Sequence, residues 1–274
     1  MEGKFKDLKY LLELLDDDND EVYSIVHDRI LSYGEDVLPE LKNVWRNTES
    51  VVLFERVDSI IKEIARITNS RKFEEWLKEG KETDILNGVL LLNKMYNPDI
   101  DVGGIKSKID KLIKDIWLEL NNNLTSLEKI NIVNHFIFKE FGFNVGDTPN
   151  DRNHFFDSAL ELKLLNEVTS SIFYFYVCRS LDIDVDPVMF KNRIFLGYVG
   201  NGYTDFSENE IMFLISPEEK GKVFRSDQID FMRGKPKDLI KYWMTTAILI
   251  VNDRYPVLAK EYRNLLRLLI KTQV

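Results

Sequence analysis

The chain is poor in the residues on which most catalytic and metal chemistry depends. Its 274 residues hold one cysteine, Cys178. A single thiol excludes an intrachain disulfide and any zinc site built from several thiolates. The three histidines, His27, His135 and His154, are too far apart in sequence to form a local ligand pair, and no His-Glu-x-x-His pattern occurs. Glycine is sparse in the same sense: Gly200-Asn201-Gly202 suits a hairpin turn, and no glycine-rich run leads into Lys-Ser or Lys-Thr to cradle a phosphate. Neither a cofactor nor a metal is expected. Long apolar runs are missing too. Stretches such as Ala247 to Val251 fall far below the ~20 residues that span a bilayer. Met1 to Asp7 offers no apolar core for a secretory signal, so the Asn123-Leu124-Thr125 sequon has no expected use. A cytoplasmic protein without membrane contact is the expectation.

Positive charge is in short supply over most of the chain. Net charge is −9, and Arg225 to Val274 carries ten Lys/Arg against five Asp/Glu, so the first 224 residues hold −14. Such a balance argues against general affinity for nucleic acid or anionic membranes. Hydrophobic residues make up 44% and charged ones 30% of the chain, which is enough apolar matter for one large or two ordinary domains.

What the sequence does have is helical periodicity. Leu8, Leu11, Leu12 and Leu15 share one face; the acidic run Asp16 to Glu21 stops that helix and offers caps for the next, through Val22, Ile25, Val26 and Ile30 to a stop at Gly34. Leu38 to Trp45 follows, with Pro39 in a first turn. Further amphipathic stretches lie at about 51–68, 70–79, 83–96 and 105–120. This helix, acidic turn and second helix resemble a HEAT-type hairpin, and the first 122 residues are expected to form a helical array, a non-repeating bundle being the alternative.

After the break Asn121-Asn122-Asn123, Thr125 and Glu128 predict a capping box for a helix reaching about Phe141. Gly142 to Asn153 is expected to be loop, with helices at about 155–164 and 167–181. Phe173-Tyr174-Phe175-Tyr176 puts aromatics on all sides of the second helix, which is therefore expected between layers rather than as a stacking platform for RNA. The β-branched and aromatic runs at 185–190, 194–199 and 211–215 predict three strands, and helices at about 237–252 and 257–271 close the chain. The expected fold is mainly α with a small α+β unit: array at 1–122, then a unit at 123–274 whose tail begins near 236.

Three segments carry a resemblance. Asn153-His154-Phe155-Phe156-Asp157-Ser158-Ala159-Leu160-Glu161, the helix ending Tyr174 to Ile183, and Phe213 to Arg225 with its Ser216-Pro217 follow in order and spacing the pattern of the bacterial SirB-type transglutaminase-like family. That family joins a papain-like α+β unit to a tetratricopeptide-like helical tail. The resemblance, over about 125–270, implies a degenerate transglutaminase-like domain with a short antiparallel sheet. It also implies where a catalytic triad would stand. A thiolate belongs at the start of the 167–181 helix, where the dipole lowers its pKa, but Leu165 to Ser171 contains no cysteine. Where the family has Pro-x-His-Phe this chain has Lys191-Asn192-Arg193-Ile194, and arginine is no base at neutral pH. The expected acid position holds Ser216.

Cys178, mid-helix, reads as a buried structural thiol, and His135 as a satisfied core or edge histidine. The candidate groove is therefore Glu167, Ser170, Ser171, Arg193, Ser216 and His154, with Glu167 and Arg193 placed to meet across it as an ion pair. A serine without a partner base has almost no activity. The sequence thus predicts a noncatalytic protein- or peptide-binding scaffold. The alternative is a cysteine- or serine-dependent acyl-transfer hydrolase with a site rearranged around Cys178, His154 and nearby carboxylates.

Overall fold

A computed structural model describes residues 7–17, 19–80, 84–191, 193–200, 210–228 and 230–271. The chain is mainly α with a small antiparallel sheet and a C-terminal helical pair. It divides into two compact units. One is Met1–Glu75 with Lys94–Asp99; the other is Trp76–Asn93 with Ile100–Val274.

The first unit holds α1 (Leu8–Leu14), α2 (Asp20–Leu31), a 3-10 turn (Gly34–Val37), α3 (Leu38–Asn47) and most of α4 (Val51–Glu79). The acidic turn caps as expected: the Asn19 side chain accepts from the Glu21 and Val22 amides, with Asp20 and Glu21 in the positive first turn of α2. The other end of that turn is held from a distance. The Arg56 guanidinium donates to the Leu15 and Asp17 carbonyls at 2.6 Å each, satisfying acceptors that α1 leaves open, while it lies over the Tyr23 ring. Leu15, Ile30, Val37, Leu41, Val57 and Ile60 fill the core between these helices. The stretches expected as two helices at 51–68 and 70–79 are one. Asn69, the intended break, instead spends its side-chain amide on the Ala65 carbonyl four residues back and so continues the helix.

The second unit runs through α5 (Ile85–Tyr96, of which Ile85–Asn93 belong here), α6 (Val102–Glu119) and α7 (Ser126–Asn134), which leads directly into a π-helix (His135–Glu140). The Thr125–Glu128 capping box is present in both directions. Asn121–Asn123, where the sequence reading divides the chain, joins α6 to α7 inside this unit, and α6 buries Ile105, Ile109, Leu112 and Ile116. The segment expected as loop contains a short strand, β1 (Asn144–Val145), and one helical turn, α8 (Asp151–His154), closed by an Asn150–Asn153 capping box. Then come α9 (Phe156–Leu162), β2 (Leu164–Leu165, parallel to β1) and α10 (Glu167–Ser180).

Five strands follow rather than three: β3 (Val185–Phe190), β4 (Arg193–Val199), β5 (Ile211–Ser216), β6 (Lys222–Arg225) and β7 (Met232–Arg233), antiparallel in the order β6-β5-β4-β3-β7. The two edge strands are short and largely exposed, so they lack the apolar run that announces an inner strand. β4 is buried on both faces, and Gly197 lets β5 close on it: a Cβ there would stand 2.6 Å from the Ile211 side chain. The aromatic helix α10 is buried along nearly its whole length, as its composition predicts, and packs on β3 and β4. Helices α11 (Pro236–Val251) and α12 (Pro256–Lys271) pair at the C-terminus. Among the described residues no helix is long and apolar enough to cross a membrane. The Gly200-Asn201-Gly202 turn lies outside the described residues beyond Gly200.

Candidate functional site

The N-terminal turn of α10 is the centre to which the candidate residues were assigned, and two different clusters share it. On one side, Asn166 caps the helix by accepting from the Thr169 amide. Its side-chain amide donates to His154 Nδ1 at 2.9 Å, while His154 Nε2 donates to the Trp243 carbonyl at 3.1 Å, which fixes the tautomer. The Thr169 hydroxyl and the Trp243 indole N–H both donate to the His154 carbonyl. The ring stacks on Trp243 with centroids 4.6 Å apart and is fully buried. Burial holds its pKa down to about 3, so the ring is neutral and both nitrogens are occupied. His154 ties α8, α10 and α11 together; it does not face the other groove candidates.

On the sheet side, Glu167 turns its carboxylate to the start of β4 and accepts from the Ile194 amide at 2.8 Å. Burial pushes this carboxyl up, and the accepted amide opposes the rise. The Ser170 and Ser171 hydroxyls donate back to the Glu167 carbonyl at 2.9 and 2.8 Å, inside their own helix. Arg193 does not pair with Glu167 as expected. The β5–β6 turn offers two nearer carboxylates: Arg193 donates through Nε and Nη2 to Glu218, at 3.1 and 2.8 Å, and through Nη2 to Glu219 at 2.7 Å. Lys222 completes the row on Glu219 at 2.9 Å. The Glu219 carboxyl is held low, by Arg193 first and then Lys222. Ser216, fully buried at the end of β5, accepts the Glu219 amide and so starts the turn that carries both glutamates.

That turn is anchored from α7. Asn134 donates to the Gly221 carbonyl at 2.9 Å and accepts the Tyr174 hydroxyl at 2.7 Å, which connects α7, the turn and α10. Gly221 has φ +77°, and the Gly221 amide closes the loop on the Ser216 carbonyl. The structure therefore brings Glu167, Ser170, Ser171, Arg193 and Ser216 to one end of α10 and the sheet. Sequence reasoning missed Glu218, Glu219, Lys222 and Asn134. The two glutamates were legible only through register: with Leu196 opposite Ile215, three more antiparallel steps carry Arg193 to the level of Glu218, just after Pro217.

Residues 104–237 match the family model described as the transglutaminase-like superfamily. That stretch is similar to transglutaminase-like domains. No curated protein and no solved structure matches the chain. The resemblance assigns transglutaminase-like chemistry to three positions, which lie at the helix start, the first residue of β4 and the last of β5. They hold a carboxylate bound to a backbone amide, a guanidinium shared by two carboxylates, and a hydroxyl that shapes a turn. None of these supplies a nucleophile with a base to activate it.

The remaining nucleophile is far from the remaining base. Cys178 stands twelve residues along α10 from Asn166, the residue bonded to His154, which is about 18 Å of helix rise. Its thiol is fully buried, and burial pushes it far above the ordinary thiol range. His135 is half exposed and pairs with Glu140, while His27 lies between Asp28 and Glu63.

Proposed function

We propose that the protein is a noncatalytic scaffold that holds a protein or peptide partner, built on a degenerate transglutaminase-like domain of SirB type. In this reading residues 1–122 form a HEAT-like helical array and α11–α12 a tetratricopeptide-like tail. The observation that carries the proposal is the filled site. Glu167, Arg193 and Ser216 occupy the nucleophile, base and acid positions, and each is bound into a hydrogen-bond network that maintains the groove's shape without providing acyl-transfer chemistry. Arg193, Glu218 and Glu219 stay about a third exposed, so the rim presents both charges to a polypeptide. In the first unit Val51 and Val52 lie exposed side by side at the start of α4, where an apolar partner surface has something to meet. The net charge of −9 favours a protein over a nucleic acid, and a single buried thiol suits the cytoplasm.

The rearranged hydrolase has no observation in its favour: both of its essential side chains are buried, and Cys178 lies about 18 Å of helix rise along α10 from Asn166, the residue bonded to His154. The decisive assay has two arms. The full chain is incubated with a fluorescent primary amine and a glutamine-rich protein, and with an activated ester; no product above the protein-free blank is expected. In the second arm, a partner cross-linked in host extract by the native chain is expected to be lost with Arg193→Glu. Acyl transfer that disappears in Cys178→Ala or His154→Gln overturns the noncatalytic reading. A partner retained by Arg193→Glu overturns the groove as the binding face.

A further inference from the structure

The second unit contains a cavity that the filled site does not use. It has a volume of about 310 Å³ and lies between α6, the chain after the π-helix, α9 and α10. Its wall is apolar: Ile109, Leu112, Phe143, Leu160 and Phe173 are all buried side chains, and the Phe143 and Phe173 rings pack at 5.0 Å. Its mouth is basic. Lys108 and Lys111 on α6 and Lys163 after α9 line it, against the single carboxylate of Glu161. None of these lysines makes an ion pair among the described residues. Three unpaired cations around one apolar hole are out of keeping with a chain of net charge −9.

Two backbone features place residues of the cavity. Phe141, a wall residue, is placed by the π-helix, its amide donating five residues back to the Phe136 carbonyl at 2.8 Å. Isolated π-turns are rare and concentrate at functional sites. Lys163 has φ +53°, a left-handed conformation that a residue with a Cβ adopts at a cost and that here sets its position on the rim.

We propose that this cavity is a binding site for a medium-chain aliphatic carboxylate, its tail among the phenylalanines and its carboxylate at the three lysines. At roughly 30 Å³ for each non-hydrogen atom, the volume admits a tail of about ten carbons. Concave apolar sites with a few convergent polar groups are where small ligands bind, and point charges at the mouth select the sign of the head group. This site lies apart from the Arg193 network and does not depend on the scaffold reading.

The test is calorimetric titration of the full chain with decanoate at low salt, beside decanol, decyltrimethylammonium and acetate. Decanoate is expected to bind at least tenfold tighter than decanol, with no heat from the cation or from acetate. Lys108→Glu with Lys111→Glu, both exposed on α6, should weaken decanoate at least tenfold and leave decanol unchanged. Leu160→Trp, which fills the cavity, should remove both; if that variant does not fold, the lysine pair decides. The proposal is overturned if decanoate binds no tighter than decanol, or if its affinity is unmoved by the lysine pair. It is equally overturned if the chain adsorbs to phosphatidylglycerol vesicles but ignores free decanoate.

Discussion

Replacing Gly221 with alanine tests how the turn carrying Glu218 and Glu219 is held. Gly221 has φ +77°, a region that costs a residue with a Cβ about 1–2 kcal/mol. The larger effect is steric. The added Cβ would lie 1.7 Å from Asn134 Oδ1 and 2.3 Å from its Cγ, so the Asn134 side chain must leave. It would give up its bond to the Gly221 carbonyl, worth about 1 kcal/mol, and leave the buried Tyr174 hydroxyl unpaired at about 1–3 kcal/mol. Together the loss should reach about 3–6 kcal/mol, read as a fall in urea midpoint at unchanged slope. The cycle with Asn134→Ala separates the terms. Once Asn134 is truncated the obstacle is gone, so adding Gly221→Ala should then cost only the backbone share of about 1–2 kcal/mol. A Gly221→Ala protein within about 1 kcal/mol of the parent, or a strictly additive cycle, would refute the anchoring of this turn by Asn134.

Two further outcomes follow from the buried groups of α10. His154 is neutral in the fold, with its pKa near 3, and ordinary near 6.5 once unfolded. Between those values only the unfolded chain takes up the proton, so stability should be unaffected above pH 6.5 and fall by about 1.4 kcal/mol per unit as pH drops from there toward 3; His154→Gln should flatten that limb in urea titrations from pH 7 to 5, and an unchanged slope would count against it. Cys178 should react with a bulky disulfide reagent only as fast as the protein unfolds, and Cys178→Ala should cost on the order of 1 kcal/mol; native-state labelling at the rate of a free thiol would refute its burial.

Much of the fold is written in local pattern. The 3.6-residue stripes of α1 to α3, the Asn19 and Thr125 caps and the aromatic run of α10 each state their structure within a few residues. The misreadings occur where a local rule has two outcomes. Asn69 and Ser70 look like a break, yet an asparagine side chain can equally bond back to the preceding turn, and here Asn69 does. The edge strands β6 and β7 carry no apolar alternation because only one side of each is covered. The π-helix has no composition of its own: His135 to Glu140 differs from an α-helix only in the register of its hydrogen bonds.

The candidate site was legible in its positions and opaque in its bonds. Ser170, Ser171, Arg193 and Ser216 could be placed by order along the chain, but the partners of Arg193 could not. Glu167 and Glu218 are both carboxylates, and only the register of β4 on β5 decides between them. His154 shows the same limit from the other direction. Its place after a polar loop suggested a groove, whereas Trp243, 89 residues away, takes it into the core. Side-chain function of this kind depends on contacts across long sequence separations, which no local pattern records.

The bonds around α10 show what the residues at the start of this helix do for the architecture. A transglutaminase-like site needs a reactive group at a helix N-terminus, and that same terminus has open amides and a positive dipole that must be answered whatever the residue is. Here Asn166 answers the Thr169 amide as cap, and the Glu167 carboxylate adds negative charge to the first turn while binding the amide of Ile194. At the position where the resemblance expects a histidine oriented by an acid, the Arg193 guanidinium is oriented by two, Glu218 and Glu219, with a similar planar, two-sided bonding demand. At the acid position Ser216 supports the turn that brings those glutamates. Each substitution thus answers the same structural requirement as the residue it stands for, through its polar contacts. A single change such as Arg193→His would leave Glu218 without its cation and Glu219 with Lys222 alone, and would introduce no nucleophile. On the proposed reading, a catalytic triad at these positions would require several changes at once.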